Sequence, residues 1–326
     1  MNDRKVILVT GASSGFGQVI SQTLSRAGHT VYASMRSIYT KNADQAQACH
    51  DLAAAEGLAI YPIELDVTDV NSCGNAVDRI VKEQNRIDVV INNAGTLVFG
   101  ITEAFTPEQV LNVFDVNTVG PLRVNRAVLP HMRKQRSGLL LYVGSVTSDI
   151  ISPFQGPYVA SKAAEDKLAE TMHYELSRFG IDTAILQPGA YISGTNHFPG
   201  AQRPHDEDIV HTYVPIADLP NQLVDRLGKI VETGRKADVQ DVANTVLRLV
   251  ETPPGQRPFR TIVDPQDHGA DAVVALQATM QRKFMERVGI ADLMRVPAQG
   301  DSLMMPYITD GVAVESLLPK KNPHEK

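Results

Sequence analysis

A short apolar run, Val6-Ile7-Leu8-Val9, leads directly into Thr10-Gly11-Ala12-Ser13-Ser14-Gly15-Phe16-Gly17 and then into a helix-periodic stretch. A strand turning into a helix over three glycines constrains the fold more than any other feature of this chain. Gly11 permits the tight turn, Gly15 lets the backbone approach a pyrophosphate, and Gly17 lets the helix lie close on its sheet. Ser13, Ser14 and Phe16 complete the loop. The first N–H groups of the helix then face the phosphates with a favourable dipole. A plain glycine-rich turn is the alternative, and the strand–turn–helix setting disfavours it.

Apolar runs rich in Val, Ile and Leu recur at residues 5–10, 30–35, 59–65, 88–91, 139–143, 182–186 and 259–263. Helix-like stretches lie between them, at 17–26, 43–55, 70–84, 107–116 and 158–179. Near-continuous apolar strands are buried on both faces, and strand–helix alternation predicts an α/β fold with a doubly wound, predominantly parallel sheet. Right-handed crossovers put all carboxyl ends of the strands along one edge, where ligands bind. No linker interrupts the pattern, so residues 1–263 read as a single catalytic domain, with an irregular substrate loop and helix at about 190–233. Residues 264–326 read as a C-terminal extension, one helix at 270–288 followed by a tail, which lids the pocket or covers a subunit interface.

Composition narrows the class. Of 326 residues, 43% are hydrophobic and 21% charged, ordinary for a globular chain with a sizeable core. A formal charge of −6 argues against nucleic-acid binding, which needs clustered Lys and Arg. Cys49 and Cys73 are too few for a disulfide framework. The first apolar run is too short for a signal peptide, and no stretch reaches the roughly 20 apolar residues of a membrane span. A cytoplasmic location is expected.

The end of the second strand selects the cofactor. An acid there would bond the adenosine ribose of NAD and repel a 2′-phosphate. Here the strand ends Ala33-Ser34-Met35-Arg36, and Arg36 offers a charged planar fork suited to phosphate. NADP(H) is therefore favoured over NAD(H), the alternative being that Arg36 is a solvated loop charge. Asp66 and Val67, after the third strand, are placed to meet adenine. Asn93, Ala94 and Gly95 close the fourth strand, where small residues admit the cofactor.

Tyr158 and Lys162 are four apart at a helix start and share a face. A nearby ammonium stabilises phenolate and makes Tyr158 usable as an acid or base near neutrality. Lys162 can also bond the ribose hydroxyls. Ser145, ending the fifth strand, can bond a carbonyl oxygen and stabilise its developing charge. Asn117 either holds a water that passes protons to Lys162 or simply closes the preceding helix.

In these residues and their order, the chain resembles the short-chain dehydrogenase/reductase family of the three-glycine type. Its Val31–Arg36 and Phe114–Asn117 segments look closest to the 17β-hydroxysteroid and retinol dehydrogenase branch. The resemblance covers residues 5–263 and implies a seven-stranded Rossmann-like sheet. It also implies a catalytic set of Asn117, Ser145, Tyr158 and Lys162, and raises the water-relay reading of Asn117. Pro188 and Gly189 match the family's cofactor-binding turn. After it the family has an aliphatic residue and then Thr, whereas Tyr191 and Ser193 stand here, with Thr195 two residues on. The chain runs about 60 residues past the usual core.

The expected activity is interconversion of a ketone or aldehyde with an alcohol on a lipophilic substrate of steroid-, retinoid- or acyl-like shape, with reduction favoured. Phe99, Ile151, Phe154, Tyr191 and Phe198 supply apolar area. An assembly of two or four copies is the accompanying expectation. A non-catalytic NADP(H) sensor and an NAD-dependent alcohol dehydrogenase are the alternatives. His205-Asp206-Glu207-Asp208 reads as an acidic helix start rather than a metal site.

Overall fold

The computed structural model describes residues 4–233 and 237–297. Seven strands form one sheet: β1 (Val6–Val9), β2 (Thr30–Met35), β3 (Ile60–Glu64), β4 (Val89–Asn92), β5 (Gly138–Val143), β6 (Ile181–Pro188) and β7 (Arg260–Val263). Their order is β3-β2-β1-β4-β5-β6-β7, and every pairing is parallel. Side chains alternate across the sheet and so feed two cores. Val6, Leu8, Val90, Leu140 and Ile185 face one way, while Ile7, Val9, Val89, Leu141 and Leu186 face the other.

The first face is covered by α3 (Val70–Gln84), α5 (Gly120–Gln135) and α6 (Gly156–Leu176), through residues such as Ile80, Val128, Met132 and Ala169. The second is covered by α1 (Gly15–Arg26) and α9 (Val239–Glu251), through Ile20, Leu24, Val242 and Val246. Around this frame lie α2 (Ala43–Glu56), α4 (Pro107–Phe114), α7 (Glu207–Thr212) and α8 (Leu219–Thr233). Local signals set several boundaries. Thr106 and Gln109 form a reciprocal capping box ahead of α4, with Pro107 in its first turn. Asp206 caps α7 by accepting from the Ile209 N–H, which makes the acidic run a helix start.

Two differences from the sequence expectation concern helices. The stretch expected as one helix at 107–116 ends at Phe114 and widens into a π-turn, Asp115–Val119. The chain then continues as α5, a helix outside the expected stretches, with Pro121 in its first turn and Pro130 in its interior. Asn117 therefore lies inside the wide turn rather than after a helix end.

The extension supplies α10 (Ala270–Arg287), which contacts β7, and a short 3₁₀ turn, Ala291–Met294, which contacts α6. Gln277 of α10 donates to Asp149 at 2.9 Å, and Arg178 pairs with Asp292. Among the described residues, no helix is long and apolar enough to cross a membrane.

Candidate active site

The order of the sheet reverses between β1 and β4, and the loops after these two strands open a crevice at their carboxyl ends. Thr10 ties them together. Its Oγ1 accepts from the Asn93 and Ala94 N–H groups at 2.9 and 3.0 Å and donates to the Ile91 carbonyl at 3.3 Å. Asn93 returns the link, donating from Nδ2 to the Thr10 and Gly11 carbonyls at 2.8 and 3.1 Å. The glycines are needed where they stand. Gly11 has φ +66°, and a Cβ there would lie 2.8 Å from the Ala94 Cα; at Gly17 a Cβ would lie 2.3 Å from the Gly11 carbonyl oxygen. Ser14, the N-cap of α1, makes no side-chain cap hydrogen bond, so the first-turn amides remain available to an anion.

The crevice is about 690 Å³. Its nucleotide side is lined by Gly11, Ser13, Ser14, Gly15, Phe16, Arg36, Asp66, Val67, Asn93, Ala94 and Gly95, with Lys41 and Asn42 beside Arg36. The loop after β2 is held from below. Glu64 accepts from the Ser37 and Ile38 N–H groups at 2.6 and 2.8 Å, and Asn42 donates to the Arg36 carbonyl at 2.6 Å. Thus the carboxylate that ends β3 is occupied by backbone, while Arg36 is exposed at the crevice wall. Asp66 Oδ1 accepts from the Thr68 N–H and hydroxyl at 2.9 and 2.7 Å. These features fit a dinucleotide: a cradle that Cβ atoms would fill, uncapped amides, and a guanidinium at the far end.

The opposite wall carries the reactive groups. Ser145 follows β5, and its Oγ accepts from the Thr147 N–H and hydroxyl at 3.2 and 2.8 Å. Tyr158 sits in the first turn of α6, lines the crevice with Ser145, and its ring packs with Leu97, Val98, Phe105 and Val113. Lys162, one turn on, donates to the Val143 carbonyl at 2.9 Å and to Glu165 Oε2 at 2.8 Å. The expected acidification of Tyr158 is only partly realised. Burial raises the phenol, Lys162 and the Ser145 hydroxyl pull it down, and Glu165 pushes it up again, leaving it above the ordinary tyrosine value. Burial pulls the Lys162 ammonium down, but Glu165 and Tyr158 outweigh this and leave it above the ordinary lysine value.

Not every expected residue reaches the crevice. Ser145, Tyr158, Lys162, Pro188, Gly189 and Tyr191 line it. Asn117 lies fully buried behind it, exchanging both amide atoms with the Thr96 backbone (2.8 and 2.9 Å) and donating to Ser161. Gly17 lies beneath the loop, and Ser193 is exposed outside the lining. Thr195 takes the place facing Gly15, its hydroxyl donating to the Tyr191 carbonyl at 3.2 Å. Phe99 and Phe154 are corrections too: Phe99 is buried in the core beneath the Arg203 guanidinium, and neither ring lines the crevice.

Sequence reasoning also missed several groups. His197 lines the crevice and meets the Tyr158 ring edge-on at 5.5 Å; burial and Lys162 hold its imidazole down to about 4, so it is neutral near pH 7. Leu223 and Leu227 of α8 line the outer mouth, and His268, paired with Asp264 at 2.7 Å, brings the extension to the rim. No local pattern marks His197 or His268; their placement depends on an irregular loop and on tertiary contact.

Residues 5–202 match the model of the short chain dehydrogenase family. The chain belongs to that family. A short-chain dehydrogenase of Streptomyces avermitilis superposes with a TM-score of 0.68 at 28% identity, covering 87% of this chain and 98% of that one. An archaeal alcohol dehydrogenase from Thermococcus sibiricus, solved with 5-hydroxy-NADP, gives 0.64 at 25% identity over 80% and 96%. Among curated relatives, the 3-ketodihydrosphingosine reductase of Bacteroides thetaiotaomicron is 36% identical across 58% of this chain and 65% of its own length. Human 17-beta-hydroxysteroid dehydrogenase type 1 is 35% identical across 57% and 56%. The match thus spans less than two thirds of either relative. An uncharacterized oxidoreductase of Bacillus subtilis, YusZ, is 33% identical over 76% of this short-chain dehydrogenase and 85% of its own chain.

Proposed function

We propose that this short-chain dehydrogenase is an NADP(H)-dependent carbonyl reductase for a lipophilic ketone or aldehyde, with Ser145, Tyr158 and Lys162 as its catalytic residues. The observation that carries the reading is the convergence of these three side chains on one wall of the crevice whose other end holds the uncapped α1 amides and Arg36. When bound, the dihydronicotinamide supplies a hydride to the carbonyl carbon. Ser145 bonds the carbonyl oxygen as it gains charge, and Tyr158 delivers the proton that completes the hydroxyl. Lys162 stabilises the phenolate left behind. Asn117 acts at a distance, fixing the Thr96 backbone that borders the substrate side. The water-relay role is assigned to it as a proposal.

Arg36 supports NADP(H) over NAD(H), since its guanidinium suits a 2′-phosphate and Glu64 is bound to backbone. Leu97, Ile150, Phe198, Leu223 and Leu227 make the substrate side apolar, and His197 offers one neutral polar contact within it. Two relatives named for a keto-sphingoid base and a hydroxysteroid are consistent with such a substrate. The test is NADPH consumption across a panel of steroid, retinoid and long-chain ketones, with Tyr158→Phe as the control. We expect turnover of at least one, a loss of about 10²- to 10⁴-fold in kcat for the variant, and NADPH affinity little changed. Binding of NADPH without turnover of any carbonyl, or an active Tyr158→Phe protein, would overturn the reading.

A further inference from the structure

Glu165 lies one turn after Lys162 on α6, is 2% exposed, and has Oε2 2.8 Å from the Lys162 ammonium. Its other oxygen, Oε1, has no hydrogen-bond partner among the described residues. A buried carboxylate satisfied on one side only is costly, and such a pair adds little net stability compared with apolar side chains. Its effect is therefore to be sought in charge and position.

The position is specific. Lys162 Nζ is held between two acceptors, the Val143 carbonyl from β5 and Glu165, at 2.9 and 2.8 Å. The ammonium is thereby anchored at the floor of the crevice, under Gly95, whose Cβ position would lie 3.9 Å from it. The same carboxylate sets a negative charge against the Lys162 cation that acts on Tyr158.

We propose that Glu165 is a positioning residue for proton transfer: its carboxylate holds the Lys162 ammonium against the Val143 carbonyl and limits how strongly that ammonium acidifies the Tyr158 phenol. The proposal rests on Tyr158 being the proton donor and is independent of the choice of cofactor. The charged and titratable groups around Glu165 are Lys162, Tyr158 and Asp166 on its own helix and Tyr142 from β5. Asp166 is paired with Arg260 of β7, and His197 faces Lys162 from the loop after β6 as a neutral imidazole. Burial pushes the Glu165 carboxyl up to about 7 against the pull of Lys162, so it is ionised throughout the alkaline range where the phenol loses its proton.

Removing one negative charge fixes the direction of the effect. With Glu165 neutralised, the Tyr158–Lys162 pair sheds its first proton at lower pH, and carbonyl reduction, which needs that proton, fails earlier on the alkaline side. The experiment measures kcat for reduction against pH in the NADPH holoenzyme of the wild type, Glu165→Gln and Glu165→Asp. We expect the alkaline limb to move down by about one pH unit in the Gln protein and to return towards wild type with Asp. NADPH affinity should change by less than about threefold, which corresponds to well under 1 kcal/mol. An unmoved alkaline limb overturns the proposal.

Glu165→Met is the second neutral variant, and failure of both neutral proteins to fold would make the carboxylate structural and overturn it as well. A readout without turnover separates this inference from the proposed function. Tyrosinate is titrated by ultraviolet difference in the NADP⁺-loaded protein, with Tyr158→Phe as background. A downward shift in the Gln protein supports the positioning role even where no carbonyl is reduced, and no shift rejects it.

Discussion

The proposed preference for NADP(H) rests on a single side chain, Arg36. Arg36 follows β2 at the rim of the crevice, beside Lys41 and Asn42, and Glu64, which ends the neighbouring strand β3, spends both oxygens on the Ser37 and Ile38 amides. A guanidinium presented in this way bonds a phosphate through charge-assisted contacts, each worth about 1.5–3 kcal/mol. Arg36→Ala is therefore expected to raise the KM for NADPH by about 10- to 100-fold while moving that for NADH by no more than about threefold. Steady-state kinetics with both cofactors and one carbonyl substrate read this directly. Equal losses with the two cofactors would assign Arg36 to the loop's structure instead. At the same scale, Tyr158 departs from what spacing alone suggests. A lysine four residues away implies an acidic phenol, but its burial among Leu97, Phe105 and Val113 works against that ammonium.

Between elements, a buried ion pair fastens α9 to the sheet. Arg257, just past α9, donates to the Leu249 carbonyl at 2.8 Å, capping the helix end, and pairs with Asp182 of β6 at 2.5 Å. Both side chains are about 5% exposed, and Asp182 also accepts from the Gly255 N–H. Removing the carboxylate leaves a buried guanidinium uncompensated, so Asp182→Ala should lose about 3–5 kcal/mol of stability in urea unfolding. A change under about 1 kcal/mol would show that water reaches Arg257. Elements were also where the sequence was most and least readable. Strands buried on both faces are near-continuously apolar, so runs such as Val6–Val9 and residues 139–143 stand out, and their observed limits differ little from those expected. By contrast, α5 lies outside the expected helices; it carries Pro130 in its interior, where proline breaks helices, and Pro121 in its first turn, where no N–H is needed. Ser145, Tyr158 and Lys162 were legible because each sits at a strand end or helix start that topology carries to one edge. Glu165 was not, since an acid three residues after a lysine looks like any solvated helix pair until the fold buries it.

The balance of buried ionisable groups gives the whole molecule a pH response with opposing parts. Burial lowers His173, on α6, and lowers His197 to about 4, so both fold as neutral imidazoles. Each contributes stability present above the ordinary histidine value and lost as pH falls towards its folded value. Burial raises Glu165 to about 7, the opposite case. Its contribution is fully present below the ordinary carboxyl value of about 4.5 and is lost as pH climbs through about 7. Between pH 5 and 7 the histidines therefore gain what Glu165 gives up, and the wild-type profile is expected to be flatter than either effect alone. Glu165→Gln removes one side of the balance. Relative to wild type, that protein should become steadily more stable as pH rises from about 5 to 8, by up to about 3 kcal/mol from the shift of one buried carboxyl. In the wild type Glu165 itself helps hold Lys162 above the ordinary lysine value, so the difference reports the Glu165–Lys162 pair. Urea midpoints of both proteins at several pH values, with equal slopes to exclude a change in the unfolded state, measure it. A stability difference that stays constant across the range would mean that Glu165 keeps an ordinary proton affinity and that Lys162 fully compensates its burial.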